Sequence, residues 1–350
     1  MMADIVGDRR PVELTVLIPT YNERRHLDEV VERIREQRVT GSVEFLFIDG
    51  RSDDGTRDAL GEVVRTDPRM RLIDNPHRRT PNALNLGLAA ARGEFIARMD
   101  AHTLYPPDYL AIALERLRRG DVAWVNGPAL PHGTDTWSRR IALALESRIG
   151  VGSSPFRRMS STEIDSDAGF TGIMLRSTLE ALGGWDEGWP INQDGELAAR
   201  VRAGGGRIVC LPALAAHYIP RHSPGALARQ YLRYGFYKAK TCRRHPDGLR
   251  PPLVLPPLLV LGLATAAARG RIGLLARSGA GAYGALLVAN AGGKWRDSAP
   301  RDVASLPMLW AIMHIAWGAG FLAGCARYGP PLRGLAQAVN RSLGRSAAGA

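Results

Sequence analysis

Cysteine is scarce in this sequence, and the N-terminus lacks the pattern of a secretory signal. Three cysteines occur in 350 residues, and their spacing fits no metal-binding motif. Their small number favours a reducing compartment. Residues 1–15 contain no apolar segment of the kind that forms the centre of a signal peptide. We therefore expect that the chain carries no secretory signal.

Acidic residues are almost absent from the C-terminal part of the chain. Residues 217–350 contain 18 Lys and Arg against 3 Asp and Glu, whereas residues 1–216 contain 28 against 31. The net charge of +12 therefore arises in the C-terminal part, which also holds the long apolar runs. Basic residues beside apolar segments are typical of proteins at anionic membrane surfaces. Apolar stretches, rather than aromatic stacking residues, interrupt the positive charge, so we predict a membrane partner and no nucleic acid.

The first half of the chain alternates short apolar runs with amphipathic segments. An apolar content of 45% with 23% charged residues is typical of a folded globular protein of one large or two small domains. The apolar runs are residues 13–18, 43–48, 70–73 and 94–99. Segments with helical spacing follow the first three of them. This pattern predicts an α/β fold, a parallel sheet covered by helices on both faces.

A carboxylate and an imidazole follow the fourth apolar run. Asp100 and His102 stand two residues apart, just before the break at Pro106 and Pro107. In an extended backbone these two side chains share a face and can bind one divalent cation. Alternatively, Asp100 caps a turn and His102 is a surface residue. Ligands bind at the strand ends of open parallel sheets. The cation-binding interpretation is therefore favoured if the other predicted strands also end in polar clusters.

Other polar clusters do follow the predicted strands. Residues 19–23 follow the first strand, residues 49–56 the second and Asp74 the third. For Asp74, a role in capping a turn is an equal alternative to a contact with a ligand. Residues 193–200 read as the start of a helix with acidic residues in its first turn. The pattern weakens over residues 126–170, where we expect flexible loops or a mobile segment on the acceptor side.

These clusters resemble, in order, the motifs of family 2 glycosyltransferases, which are inverting enzymes with a GT-A fold. The resemblance spans about residues 13–245 and is carried by Pro-Thr-Tyr-Asn-Glu at 19–23, Asp-Gly-x-Ser-x-Asp-Gly-Thr at 49–56, Asp-Ala-His at 100–102 and Asp194. The Asp-Ala-His variant and Gln-x-x-Arg-Tyr at 230–234 resemble bacterial exopolysaccharide enzymes of the succinoglycan type. The resemblance implies a GT-A-like nucleotide-binding domain with a mainly parallel sheet flanked by helices, followed by C-terminal interfacial and transmembrane helices.

The resemblance also implies roles for individual residues. Asp194 would be the catalytic base, and Asp100 and His102 would bind a divalent metal, with the imidazole favouring Mn²⁺ over Mg²⁺. The nucleotide sugar would contact Pro19, Thr20, Tyr21, Asn22, Glu23, Asp49, Arg79 and Asp100. The acceptor or diphosphate would contact Trp185, Asp186, Gln230 and Arg233. Two of these assignments have alternatives: Trp185 as a core residue and Arg233 as a lipid contact.

Gln193 departs from the family pattern, which has an acidic residue before the catalytic aspartate. Because Gln193 is neutral, the pKa of Asp194 should be raised less than a paired carboxylate would raise it. Glu196 lies nearby in the same predicted helix, as a surface residue or a substrate contact.

The C-terminal part divides into three predicted segments after a glycosyltransferase domain at residues 1–220. Residues 221–250 form a basic amphipathic interfacial segment, residues 251–330 a membrane-associated helical region and residues 331–350 a basic flexible tail. Of the apolar runs 253–268, 272–293 and 303–326, the last alone is long enough to span a bilayer readily. Buried helices of a soluble domain are the alternative.

The sequence therefore predicts an inverting hexosyltransferase of the bacterial inner membrane, with its catalytic domain in the cytoplasm. It would move a hexose from a nucleotide sugar, a UDP-sugar, to a lipid-linked saccharide in exopolysaccharide or cell-surface glycan synthesis. The alternatives are a polyprenyl-phosphate sugar transferase and a non-catalytic, membrane-anchored nucleotide-sugar binding protein. A nucleotidyltransferase would need a Gly-rich loop with Lys after the first strand, and residues 19–23 contain neither.

Overall fold

The computed structural model describes residues 11–151, 157, 159–295 and 298–347, which form two compact units. The first unit contains the chain up to Ala129 and the return segment that ends at Tyr218. The second contains the segment from Leu130 to Arg157 and the chain from Ile219 onward. The predicted domain limit at residue 220 thus lies beside the limit at Tyr218, but residues 130–157 belong to the second unit.

The elements follow the chain in this order. The strands are β1 (Leu14–Thr20), β2 (Val43–Asp49), β3 (Met70–Asp74), β4 (Phe95–Arg98), β5 (Thr103–Leu104), β6 (Trp124–Asn126), β7 (Ala129–Pro131), β8 (Ile164–Asp165), β9 (Gly172–Leu175), β10 (Ile208–Cys210) and β11 (Ala216–Tyr218). The helices of the first unit and the inserted segment are α1 (Arg24–Arg35), α2 (Thr56–Thr66), α3 (Thr80–Ala90), α4 (Tyr109–Leu117), α5 (Thr136–Leu145), α6 (Arg148–Val151), α7 (Arg176–Ala181) and α8 (Gln193–Ala203). The later helices are α9 (Pro224–Arg244), α10 (Leu255–Ala264), α11 (Gly270–Gly292), α12 (Pro300–Val303), α13 (Leu306–Tyr328) and α14 (Leu332–Ala347).

An eight-stranded mixed sheet forms the centre of the first unit, with strand order β3-β2-β1-β4-β9-β6-β10-β8. Strands β3, β2, β1 and β4 pair in parallel, as the β-α-β pattern predicted. Strand β9 runs antiparallel to both of its neighbours, β4 and β6. The parallel half brings the carboxyl ends of β1, β2 and β4 to one edge of the sheet.

The central strands are buried on both faces because helices cover each side of the sheet. Four buried side chains of α1, Leu27, Val30, Val31 and Ile34, pack with one face of β1 and β2. Each contributes roughly 1.5–3 kcal/mol of hydrophobic burial. Helix α3 packs on the opposite face, where a Cβ on Gly87 would lie 2.8 Å from Leu17 Cδ2. Glycine therefore allows α3 to approach the sheet closely.

The region expected to be flexible loops, residues 126–170, contains regular structure where it is described. Helix α5 starts with a capping box in which Asp135 accepts from Ser138 N at 2.9 Å and Ser138 Oγ accepts from Asp135 N at 2.8 Å. Its buried residues Ile141, Ala142 and Leu145 recur at helical spacing. The expectation of loops was wrong here, because the cap and the short apolar face specify a helix. Residues 152–156 and 158 lie outside the described part.

The second unit is helical and contains two helical segments long and apolar enough to cross a membrane, Gly270–Gly292 and Pro300–Tyr328. Helix α9 covers the predicted basic amphipathic segment and packs against α13. A Cβ on Gly235 would collide with the carbonyl oxygen of Trp317, and one on Gly320 with that of Leu232. Small residues thus bring these two helices into close contact. Helix α14 occupies most of the segment predicted as a flexible tail.

Candidate active site

Three predicted loops meet at the carboxyl edge of the parallel half of the sheet. Residues 19–23 end β1, residues 49–56 end β2, and residues 100–102 follow β4. The pairing of Thr20 with Asp49 places the first two loops side by side. Ligands of open parallel sheets bind at such an edge, where the loops after the strands bring polar side chains together.

Hydrogen bonds join the first two loops into one unit. Asn22, in the left-handed region at φ 56°, donates from Nδ2 to Asp53 Oδ1 at 2.8 Å and accepts from Asp53 N at 3.0 Å. Glu23 N donates to Thr56 Oγ1 at 2.9 Å. Tyr21 remains 43% exposed, with the Arg78 guanidinium 5.8 Å from its ring centroid. An aromatic face and a cation are therefore available to a planar base at this edge.

Asp49, the predicted base-contacting residue, is fully buried and already hydrogen-bonded. It accepts from Ser52 Oγ at 2.6 Å and from Arg57 Nη1 at 2.9 Å. The same Arg57 nitrogen donates to Asp74 Oδ1 at 3.0 Å, and Arg51 donates to Asp74 Oδ2 at 3.1 Å. The two guanidinium groups hold the pKa of Asp74 below its ordinary value, and the hydrogen bond from Arg51 has the larger effect. Arg51, Arg57 and Asp74 are the exposed members of this network.

The sequence motifs did not identify Arg51 or Arg57, and for Asp74 they left a capping turn as an equal alternative to a ligand contact. The pattern Asp-Gly-Arg-Ser-x-x-x-x-Arg at residues 49–57 could have indicated these two arginines. It places one arginine in the loop after β2 and another at the start of α2, both close to the strand end. Arg79, a predicted nucleotide contact, is exposed immediately before α3. Its carbonyl oxygen accepts from Asn75 Nδ2 at 3.2 Å.

A buried guanidinium links two of the predicted site residues. Arg98 donates from Nε to Asp100 Oδ1 at 2.8 Å and from Nη2 to Asp100 Oδ2 at 3.2 Å. Its Nη1 donates to Asp194 Oδ1 at 2.5 Å. Phe170 covers the guanidinium, with its ring centroid 5.8 Å from Cζ. The backbone N–H of Asp100 donates to the Tyr105 hydroxyl at 2.8 Å. Arg98 was not among the predicted site residues, because a strand pattern does not show which distant side chains contact a strand residue.

The pKa of Asp194 is raised to about 6, chiefly because burial disfavours the charged carboxylate. Arg98 opposes this shift by stabilising the ionised form, and the charge of Asp100 adds to it. Gln193 Nε2 lies 3.4 Å from Asp194 Oδ2 and carries no charge. A carboxylate that titrates near neutral pH can accept a proton from a hydroxyl group and release it to water.

The predicted metal ligands have donor types that suit a divalent cation. His102 is 41% exposed, and its Nδ1 lies 3.4 Å from Glu23 Oε1. Asp100 follows strand β4, as His102 does, but Arg98 donates hydrogen bonds to both of the Asp100 carboxylate oxygens. Within residues 11–151, 157, 159–295 and 298–347, no group of three His, Cys, Asp or Glu side chains is placed to hold a metal. A carboxylate and an imidazole fit Mn²⁺ in donor type, with the remaining ligands left to a diphosphate and water.

The turn that carries Trp185 and Asp186 is fixed to α3. Asn85 Nδ2 donates to the Trp185 carbonyl at 2.8 Å, and Asn85 Oδ1 accepts from Trp185 N at 2.9 Å. Glu187, which the sequence analysis did not name, accepts from Asn82 Nδ2 at 2.5 Å. Asp186 Oδ1 accepts from Gly188 N at 2.8 Å.

Trp185 is buried in the core, in the same hydrophobic cluster as Leu179 and Leu197. Its indole N–H lies close enough to Asp194 to favour the ionised form of that carboxylate, although it forms no well-aligned hydrogen bond within the described part of the chain. The buried ring agrees with the alternative that Trp185 is a core residue. The indole N–H nevertheless faces the proposed base.

The other two predicted acceptor contacts belong to the second unit. Gln230 and Arg233 both lie in α9, where Gln230 Nε2 donates to Tyr234 Oη at 2.9 Å and Arg233 is exposed. The first unit therefore brings together the residues of the nucleotide loops, Asp100, His102, Asp194 and the Trp185 turn, but not Gln230 and Arg233.

Comparisons with known proteins agree with this geometry. Residues 15–183 match the family "Glycosyl transferase family 2". The succinoglycan biosynthesis protein ExoA of Rhizobium meliloti is 30% identical over 314 residues, 87% of this chain and 93% of that protein. The dolichol-phosphate mannosyltransferase of Pyrococcus furiosus is 28% identical over 113 residues, 32% of each chain.

A solved structure shares the fold. The mannosyltransferase of Pyrobaculum calidifontis, determined in complex with GDP-Man and Mn²⁺, matches with a TM-score of 0.59 at 22% sequence identity. The match covers 91% of this chain and 89% of that one. This similarity establishes a GT-A-type arrangement of the sheet and its helices.

Proposed function

Because this chain belongs to glycosyl transferase family 2, we propose that it moves a hexose from a nucleotide sugar to a lipid-linked saccharide with inversion at the anomeric carbon. The observation that carries this proposal is the buried carboxylate of Asp194, bonded to Arg98 beside the strand end that carries Asp100. An inverting transfer needs one base on the acceptor side and charge neutralisation on the donor side. Asp194 supplies the base, and the residues of the strand-end loops support neutralisation of the charge on the donor side.

Asp194 acts as the base in a single displacement. With its pKa raised to about 6, its carboxylate is mostly ionised at neutral pH yet basic enough to take the proton of an acceptor hydroxyl. The oxygen freed of its proton attacks the anomeric carbon from the side opposite the nucleotide. The proton passes to Asp194, and the bond from the sugar to the diphosphate oxygen breaks.

The donor is bound at the edge formed by β1, β2 and β4. The exposed ring of Tyr21 would stack on the base, while Arg51, Arg57 and Asp74 offer donors and acceptors for its edge. Asp49, buried behind them, orients Arg57. A divalent metal held by Asp100 and His102 would neutralise the charge of the departing nucleoside diphosphate. A UDP-sugar is the donor that we propose, and the GDP-Man complex of the structural neighbour makes a GDP-sugar the first competitor.

A lipid-linked acceptor at the cytoplasmic side of a bacterial inner membrane accounts for the second unit. Two helical segments there are long and apolar enough to span a bilayer. The segment from residue 217 onward carries 18 basic against 3 acidic residues, which suits anionic headgroups. The relative that matches most of the chain is a succinoglycan biosynthesis protein, consistent with assembly of a lipid-linked exopolysaccharide.

Transfer to polyprenyl phosphate itself is the second candidate. It is supported by the 28% identity to a dolichol-phosphate mannosyltransferase over about one third of the chain. A binding protein without turnover is less consistent with the site. Burying the Asp194 carboxylate beside Arg98 has a desolvation cost. Nucleotide binding alone does not require this cost, because an exposed carboxylate could make the same contact.

The test is nucleoside diphosphate release by detergent-purified protein from a panel of UDP- and GDP-sugars, with Mn²⁺, Mg²⁺ or EDTA. Acceptors are a bacterial lipid extract and bare polyprenyl phosphate. We expect metal-dependent release from one donor that increases with the extract. Stimulation by polyprenyl phosphate alone would support the second candidate, and no release from any donor with either acceptor would contradict glycosyl transfer.

A further inference from the structure

Arg98 is the buried cation that connects Asp100 with Asp194, residues 94 positions apart in the chain. Its three donor nitrogens are divided between the two carboxylates, two to Asp100 and one to Asp194. Arg98 ends strand β4 and Asp100 follows it two residues later, whereas Asp194 lies in the first turn of α8. The guanidinium therefore lies between a proposed donor-side ligand and the proposed base.

Burial makes this contact energetically important. The side chains of Arg98, Asp100 and Asp194 are 9%, 8% and 14% exposed. Water cannot stabilise two carboxylates so placed, so a positive charge must lie close to both of them. In the described part of the chain, Arg98 supplies that charge.

The same geometry restricts the access of a metal to Asp100. Both Asp100 oxygens accept hydrogen bonds from Arg98, at 2.8 and 3.2 Å. A carboxylate oxygen that faces a guanidinium repels a second cation, and coordination would displace at least one of these bonds.

We propose that Arg98 takes the place of a divalent cation in the donor-free protein, and that a metal binds Asp100 only when the guanidinium withdraws from it. Arg98 is thus a positioning residue that keeps the two carboxylates apart and charge-balanced until the donor arrives. The diphosphate supplies negative charge that attracts both the metal and the released guanidinium, so metal and donor should bind together. This inference rests on the proposed function, since it takes Asp100 as a metal ligand of that site.

The test is a titration of the full-length protein in detergent with Mn²⁺, without donor, followed by the electron paramagnetic resonance signal of hydrated Mn²⁺. We expect weak binding by the wild type and at least about tenfold tighter binding by Arg98→Gln, because a repelling charge is removed beside Asp100. The double variant Arg98→Gln/Asp100→Asn should lose this gain. Addition of UDP or GDP should increase the affinity of the wild type for Mn²⁺.

Arg116 provides a matched control, because it is also a buried arginine that bridges two carboxylates, Asp121 and Glu163, in the same unit. Arg116→Gln should leave Mn²⁺ binding unchanged. An equal gain in Arg116→Gln would mean that any released carboxylate pair takes up Mn²⁺ and would overturn the proposal. So would unchanged Mn²⁺ binding in a folded Arg98→Gln protein, with folding checked by circular dichroism.

Arg98→Lys covers the case in which Arg98→Gln does not fold. Lysine keeps the charge but cannot bond both carboxylates in the same way, so we expect Mn²⁺ affinity between those of the wild type and Arg98→Gln. Wild-type affinity in Arg98→Lys together with unfolded Arg98→Gln would contradict the proposal. Wild-type protein that binds no Mn²⁺ even with UDP or GDP would instead contradict the metal-dependent function, whatever the variants do.

Discussion

Asn85 holds Trp185 by two hydrogen bonds, donating to its carbonyl at 2.8 Å and accepting from its N–H at 2.9 Å. A side-chain amide on α3 thus replaces a backbone partner for a turn 100 residues further along the chain. Through this contact the turn is fixed on the sheet, and the indole of Trp185 is kept beside Asp194. Local geometry at the base therefore depends on a side chain of α3.

Asn85→Ala should loosen the Trp185 turn and lower the free energy of unfolding by about 1–3 kcal/mol, since two buried backbone groups lose their partners. Urea unfolding followed by fluorescence measures the change. Asn290→Ala is the control, because among the described residues the exposed Asn290 amide bonds only within its own helix, to the Leu286 carbonyl. Equal stability of the two variants would show that the Asn85 contacts do not hold the turn.

The rate of transfer should depend on the ionisation of Asp194. Burial raises its pKa to about 6, and the base must be ionised, so kcat/KM should be constant above this pH and fall about tenfold per pH unit below it. A pH profile measures this, and protein held at low pH should regain full activity at neutral pH. Constant kcat/KM down to about pH 4, the ordinary range of an aspartic acid, would contradict the assignment.

Arg57→Met should weaken nucleoside diphosphate binding about tenfold, because charge-assisted hydrogen bonds to Asp49 and Asp74 are lost at the base edge. Isothermal titration calorimetry measures the dissociation constant. Arg69→Met is the control, since Arg69 pairs with Asp67 before the start of β3, at its amino end. If both variants bind like the wild type, the Arg57 network does not form part of the donor site.

Gly235→Ala should disrupt the contact between α9 and α13, where a Cβ would meet the Trp317 carbonyl oxygen. We expect a loss of about 1–3 kcal/mol, seen as a lower midpoint of thermal unfolding in detergent. Gly281→Ala is the matched control, because in the described part of the chain no atom outside the neighbouring backbone of α11 lies within 4 Å of a Cβ at that position. It should be neutral or slightly stabilising, given the higher helix propensity of alanine. Equal midpoints would mean that the two helices are not closely packed.

The sequence predicted the features that depend on local pattern. The strands β1 to β4 and the polar residues at their ends follow from short apolar runs bounded by turn residues, and the family followed from the order of those motifs. Helix α9 lies within residues 221–250, the segment that the sequence predicted as basic and amphipathic. The GT-A fold and the family are confirmed, whereas the roles of individual residues stay predictions.

Some of the features that were missed depend on contacts between distant residues, and others on short local patterns. Arg98 reads as an ordinary strand residue, since nothing near it in sequence shows that Asp194 meets it. Helix α5 was mistaken for loop because its apolar face is short and its neighbours are rich in Gly, Pro and Arg. The antiparallel strand β9 could not be inferred either, because four apolar residues do not specify the direction of a strand.

The central claim is that Asp194 removes the proton of the acceptor, and the most direct measurement compares transfer by the wild type and Asp194→Asn. Asparagine has nearly the same shape but cannot accept that proton, so we predict at least about a hundredfold lower kcat with the donor and the lipid extract that support turnover. Binding of UDP or GDP should change little, which separates lost chemistry from lost folding. Transfer by Asp194→Asn at the wild-type rate would contradict the account.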